Sequence, residues 1–229
     1  MSPSLLGISS MATRLVLADL VEAYQRRSGQ SVRIESVGGV DAARRVAAGE
    51  AFDVVILASD AIDKLIASGQ VLAGSRVDLV HSGVSVAVRA GAPGPDISSE
   101  DAVRAAVLAA RTVSYSTGPS GVALARLFER WGIAEDLKSR LVTPPPGIPV
   151  GSLVAKGEVE LGFQQLSELI SLEGITVLGP LPPAIQITTT FSGGVCTASR
   201  QPEAVRALLA YMAGPDAAEA KRRQGMDPA

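Results

Sequence analysis

The residues best placed to do chemistry in this chain are small or neutral-polar, and they recur where short apolar runs give way to amphipathic stretches. Ser9 and Ser10 follow the apolar run at 5–8, Gly38 and Gly39 follow 32–36, and Ser59 follows 52–57. Further along, Ser116-Thr-Gly-Pro-Ser120-Gly121 follows 112–115, and Gln164-Gln165 follow 159–163. Hydroxyls, amides and open backbone N–H groups at such junctions suit an anion held by neutral donors and helix dipoles, with no lysine or arginine clamp. A single Ser or Gly turn says little, because both are ordinary cap and turn residues. Their recurrence on one side of a sheet carries the reading. The segment 118–121 lacks the lysine that a P-loop requires.

Proton chemistry has fewer candidates. Glu168 stands just past Gln164-Gln165, where a carboxylate could act as a base or simply complement a helix dipole; Asp41, just past Gly38-Gly39, has the same two readings. His81, the single histidine, lies beside Ser82, but no nearby aspartate completes a triad, so it reads as a structural residue. Cys196 reads as a core residue, and Phe128 and Trp131 likewise. One cysteine excludes an internal disulfide, and one histidine excludes a multi-histidine metal site. No cofactor is expected.

These positions need elements to hold them. The 229 residues are 47% hydrophobic but only 3% aromatic, so the core must be mostly Ala, Val, Leu and Ile. Apolar runs alternating with amphipathic stretches predict an α/β fold with mostly parallel sheet flanked by helices. Helices are expected over 13–27, 41–48, 59–67 (capped by Ser59), 100–110, 120–131, 134–140, 151–156, 202–212 and 215–223. A proline-rich turn is expected at 144–146. Two long β-prone stretches, 76–89 and 185–196, are read as crossings between two lobes, and hence as a hinge. Residues 1–82 with 191–229 would form the first lobe, discontinuous in sequence, and 83–190 the second, with a small anion clamped between them.

The net charge of −2 offers no footprint for nucleic acid or an acidic membrane surface, and no apolar run is long enough to span a bilayer. The first residues lack the pattern of a secretory leader. The chain as given therefore reads as cytoplasmic, or as periplasmic if a leader was removed.

Several segments carry a family resemblance: Gly7-Ile-Ser-Ser-Met-Ala12, residues 44–55, Tyr115-Ser-Thr-Gly-Pro-Ser-Gly-Val-Ala123, Gly157-Glu-Val-Glu-Leu-Gly-Phe163 and the closing region 209–218. Over nearly its whole length the chain resembles the molybdate-binding periplasmic proteins, a branch of the type 2 solute-binding proteins that feed ABC importers. The resemblance implies an oxyanion held by two serine hydroxyls, backbone amides and a tyrosine. Ser10 matches the first serine; the second falls within Gly38-Gly39-Val40, where no hydroxyl exists. Ser120 matches a position offering its backbone N–H, Gly147 approximately matches another, and Gln165 occupies the tyrosine position. Without one hydroxyl and the tyrosine, the set suits a planar or larger anion such as a carboxylate better than tetrahedral molybdate.

Residues 160–169 and Gly179-Pro-Leu-Pro182 also resemble the branch that includes aconitate isomerases, which shift a double bond in a tricarboxylate by proton abstraction and return. That resemblance implies a base, with Glu168, Asp41 or Tyr115 as candidates. The sequence thus reads as a solute-binding protein taking a small oxyanion or carboxylate, with an ABC importer as partner; the alternative is an isomerase of a small polycarboxylate.

Overall fold

The computed structural model describes residues 3–145 and 147–229, so the proline-rich turn at 144–146 falls partly outside the described residues. The chain divides into two compact units, one running to Ser82 and resuming over Thr189–Ala229, the other formed by Gly83–Thr188.

In the first unit the order begins β1 (Leu5–Ser10), a 3-10 turn (Met11–Thr13), α1 (Arg14–Ser28), β2 (Val32–Val37), α2 (Gly39–Ala47), β3 (Val54–Ala58) and α3 (Ser59–Ala67). β1 lies between β2 and β3, parallel to both, with Ser10 opposite Val37 and Ser9 opposite both Ser36 and Ile56. The far side of β3 is covered by an antiparallel strand that returns late in the chain, β8 (Thr188–Val195). The alternation of a strand sorts the core. Val54 and Ile56 pack with Leu5, Val16, Leu17, Leu20, Leu208 and Leu209, while Val55 and Leu57 pack on the other face with Ile8, Ala42, Val46, Ile62 and Leu65. All five residues of β3 are buried, which explains its unbroken apolar run. Cys196 lies in the second of these clusters, and burial pushes its thiol up to about 12, so it carries no thiolate at neutral pH.

β4 (Val77–Arg89) is one continuous strand of 13 residues. Its early residues Val80 and His81 pair with the short β9 (Asp227–Pro228) in the first unit, and its later residues belong to the second. His81 Nδ1 lies 3.0 Å from the Thr190 hydroxyl of β8, in keeping with a structural role.

The second unit continues with α4 (Glu100–Ala109), β5 (Val113–Tyr115), α5 (Pro119–Arg130), α6 (Ala134–Leu137), α7 (Val150–Lys156), β6 (Leu161–Gln165), α8 (Leu166–Leu169) and β7 (Ile175–Pro180). β6 pairs with β5 in parallel and with β4 antiparallel, and β7 runs antiparallel along β4. Leu161 and Phe163 of β6 face Val84, Val86, Leu124 and Phe128; Val150, Leu153 and Val154 of α7 form a separate cluster with Val159. After β8 the first unit adds α9 (Pro202–Ala213) and α10 (Ala218–Arg223), which lead into β9. Among the described residues no helix is long and apolar enough to cross a membrane.

Candidate functional site

In the first unit the parallel strands β1, β2 and β3 deliver their carboxyl ends, and the turns that follow, to one edge. Ser10 ends β1, and its hydroxyl accepts from the Ala12 N–H at 3.3 Å, while its carbonyl accepts from the Thr13 hydroxyl at 2.9 Å. Gly39 opens α2 beside it: a Cβ built on Gly39 would sit 3.6 Å from Ser10 Oγ. Gly38 precedes α2 with no side-chain cap, and the first bond of that helix runs from the Ala42 N–H to the Gly38 carbonyl. The N–H groups of Gly39, Val40 and Asp41 therefore have no intrahelical acceptor.

Ser59 also reaches this edge, but as the first residue of α3 rather than its cap. Ala58 takes the cap position, where no side chain can accept, so the N–H groups of the first turn stay open. The remaining two sequence candidates point elsewhere. Ser9 is fully buried and bonds to the Ser36 hydroxyl at 2.8 Å, tying β1 to β2. Asp41 pairs with Arg44 on the exposed surface of α2.

The second unit builds a similar edge at the ends of β5 and β6. After β5, the Ser116 and Ser120 hydroxyls lie 3.0 Å apart. The turn is so tight that a Cβ on Gly121 would fall 1.6 Å from the Ser116 carbonyl oxygen, so only glycine fits there. Pro119 has no N–H and Gly118 supplies no side-chain cap, which leaves the N–H groups of Ser120 and Gly121 open at the start of α5. Tyr115 packs edge-on against Phe128, with ring centroids 5.8 Å apart. Burial, with a smaller contribution from Glu129, raises its phenol above the ordinary value, so it stays protonated and can donate but not act as a base at neutral pH. Gly147 lies in an exposed turn ahead of α7 with φ +77°, a left-handed conformation that favours glycine.

At the end of β6, Gln164 and Gln165 are both buried. Gln164 Oε1 accepts from the Gly151 N–H at 3.3 Å. Burial pushes the Glu168 carboxyl up to about 7. A carboxyl titrating near 7 can take or give a proton at neutral pH, which matches the requirement for general acid–base work. The sequence places Gln164 and Glu168 at this turn but not the contact of Gln164 with Gly151 of α7, thirteen residues away, which leaves no local pattern. Among the described residues no cluster of three or more His, Cys, Asp or Glu could hold a metal ion.

Comparison with known proteins gives the chain relatives of both kinds. It is 42% identical to an aconitate isomerase of a Pseudomonas species, across 96% of this chain and 86% of the relative. It is 26% identical to a molybdate-binding protein of Azotobacter vinelandii, across 91% of this chain and 84% of that one. The solved periplasmic molybdate-binding protein of Azotobacter vinelandii superposes with a TM-score of 0.80 at 21% identity, covering 97% of this chain and 98% of its own. The fold is therefore that of the type 2 periplasmic binding proteins. The family model described as bacterial extracellular solute-binding protein matches residues 5–227. The chain belongs to the bacterial extracellular solute-binding protein family.

Proposed function

We propose that the chain binds a small polycarboxylate and isomerises it by moving a carbon-bound proton, with Glu168 as the general base. The observation that carries this reading is the Glu168 carboxyl, withdrawn from water and poised near neutrality, while Asp41 is spent on Arg44 and Tyr115 stays protonated. The identity with an aconitate isomerase supports it. In the step, Glu168 takes a proton from a carbon next to a substrate carboxylate, and the electron pair delocalises over the adjacent unsaturated system. Return of that proton to the far carbon moves the double bond and regenerates the carboxylate, so substrate and product differ only in where one hydrogen sits. The open N–H groups of Ser120 and Gly121 are the kind of donor that stabilises the charge developing on a substrate oxygen.

Incubation with cis- or trans-aconitate in D2O, followed by NMR, tests this. The expected result is deuterium at the carbon-bound position together with the isomerised product, and a loss of roughly 10²–10⁴-fold in exchange for Glu168→Gln. Absence of exchange with every polycarboxylate tried would overturn the enzyme reading.

A second reading, binding of a small oxyanion or carboxylate for delivery to an ABC importer, is favoured by the first unit's edge, whose donors are all neutral, and by the family. A thermal-shift series with molybdate, sulfate, citrate and the aconitates tests it: a ligand at 100 times its Kd stabilises by about 2.7 kcal/mol. With the second hydroxyl and the tyrosine absent, carboxylates are expected to bind better than molybdate.

A further inference from the structure

The first unit carries a second concavity, on the edge of its sheet opposite Ser10. Helix α1 starts beyond the carboxyl end of β1 and runs back, so its last turns lie near the start of β1, where Leu5 pairs with Val32. There α1 meets α9 around a cavity of about 460 Å³. Tyr24 and Arg27 of α1 line it, with Ala207, Ala210 and Tyr211 of α9 and Asp216 in the 3-10 turn that follows (Pro215–Ala217). The Tyr24 and Tyr211 rings lie 5.3 Å apart with their planes at 43°.

This lining favours positive charge in three ways. Both helices bring their last turns to the cavity, and a helix carries its negative pole at that end. Helix α9 has no basic residue in its last turn to offset the pole. The phenol rings attract a cation to their faces, and Asp216 adds a carboxylate. A cation is in fact resident. Arg27 pairs with Asp216 at 2.6 Å and holds its guanidinium carbon 6.0 Å from the centre of the Tyr211 ring. The two side chains are 67% and 61% exposed, so water weakens the pair and a competing cation can displace it. A hard metal ion takes six or more oxygens, whereas Asp216 is the only acidic side chain in this lining and much of the rest is ring and methyl. The cation that fits is therefore one with an apolar skin.

We propose that this cavity binds a small organic ammonium ion, whose charge displaces the Arg27 guanidinium from Asp216 and Tyr211 and whose alkyl groups cover Tyr211 and the α9 alanines. The site goes beyond the proton-transfer reading and shares no residue with it, so either stands or falls alone.

Tetramethylammonium chloride is the probe, titrated into the full chain and followed by NMR of the tyrosine rings, with sodium chloride at matched ionic strength as the control. The expected result is a saturable shift, with a Kd on the order of millimolar for so small a ligand, and contacts from the methyl protons to the Tyr211 ring. Arg27→Gln removes the resident cation and should tighten binding by roughly two- to fivefold. Tyr211→Leu should weaken it by roughly 2–30-fold. Asp216→Asn, on the exposed rim, should weaken it by roughly two- to fivefold and decides the matter if Tyr211→Leu fails to fold. Shifts that follow ionic strength alone, or an affinity unchanged or lowered in Arg27→Gln, would overturn the proposal.

Discussion

The edge at Ser10, Gly38-Gly39 and Ser59 and the edge at Ser116, Ser120 and Gln164 are made from the same neutral materials. Both follow the ends of parallel strands, and both leave helix N–H groups open. They differ in their acids. Asp41 of the first edge sits on the helix surface against Arg44, whereas Glu168 of the second is largely withdrawn from water and pairs with no cation among the described residues. An edge with only neutral donors can bind and orient an anion but cannot exchange a proton with it near pH 7. Adding one poorly solvated carboxyl supplies that capacity without altering the fold.

This contrast can be broken most directly by rate. If the two edges divide binding from chemistry, Glu168→Gln lowers the proton-exchange rate by roughly 10²–10⁴-fold and leaves substrate affinity nearly intact. Asp41→Asn changes neither; comparable losses in both variants would erase the contrast.

The next largest effect concerns stability. Gly121→Ala forces a methyl into the Ser116 carbonyl, and about 3 kcal/mol should be lost in denaturant unfolding, with ligand affinity falling as the turn opens. Wild-type stability in that variant would mean that the turn is not the rigid anchor described.

A third test uses pH. The folded Glu168 carboxyl titrates near 7 and its ordinary value is 4.5, so between these values the folded state holds a proton that the unfolded state has released. Stability from this group is full below about pH 4.5 and is lost as pH rises through 7. Glu168→Gln removes the loss, and above pH 7 it should be more stable than the parent by roughly 2–3 kcal/mol, with the difference vanishing in acid. Thermal unfolding across this range measures it. A parent and variant with parallel profiles would show that the carboxyl is not withdrawn from water. The gain in stability and the loss in rate should appear in the same protein.

The smallest effect belongs to the neutral edge. Ser10→Ala removes one hydroxyl, worth about 1 kcal/mol, and should weaken binding by roughly fivefold in calorimetry while kcat holds. A kcat loss as large as that of Glu168→Gln would place chemistry on this edge as well.

Much of this was legible in the sequence because strand and helix periods alternate cleanly through residues 5–67. The apolar face of α2, with Ala42 and Val46, and the continuous run of β3 announce themselves. The misses have physical causes. Helix α8 has only four residues, too short for any period to show. Strand β7 includes Gly179 and Pro180 and pairs with β4 through a register shift at Val86/Ala87, which breaks the alternation that would reveal it. Ser59 was expected as a cap, but the turn advances by one residue and Ala58 takes the place. Candidate site residues could be read from their positions at strand ends, because topology dictates where ligands bind. Which of them is poised for proton transfer could not, because burial of Glu168 and the meeting of Gln164 with Gly151 exist only after α7 and α8 have packed.

The division of the chain also bears on its synthesis. Strand β3 ends at Ala58, but the strand that covers its far side, β8, begins at Thr188, after the whole of the second unit has been made. A ribosome adding roughly 5–20 residues per second takes on the order of ten seconds to bridge that gap. Throughout that interval β3, the most apolar strand of the first unit, presents a bare row of N–H and C=O groups to any other nascent chain. The inserted unit is continuous in sequence and can finish folding as it emerges, whereas the first must wait for its own ending. Arrest of translation with the chain emerged as far as Thr188 and the rest of β8 still inside the ribosome should therefore yield an intermediate that is protease-resistant over Gly83–Thr188 and that chaperones recognise through β3.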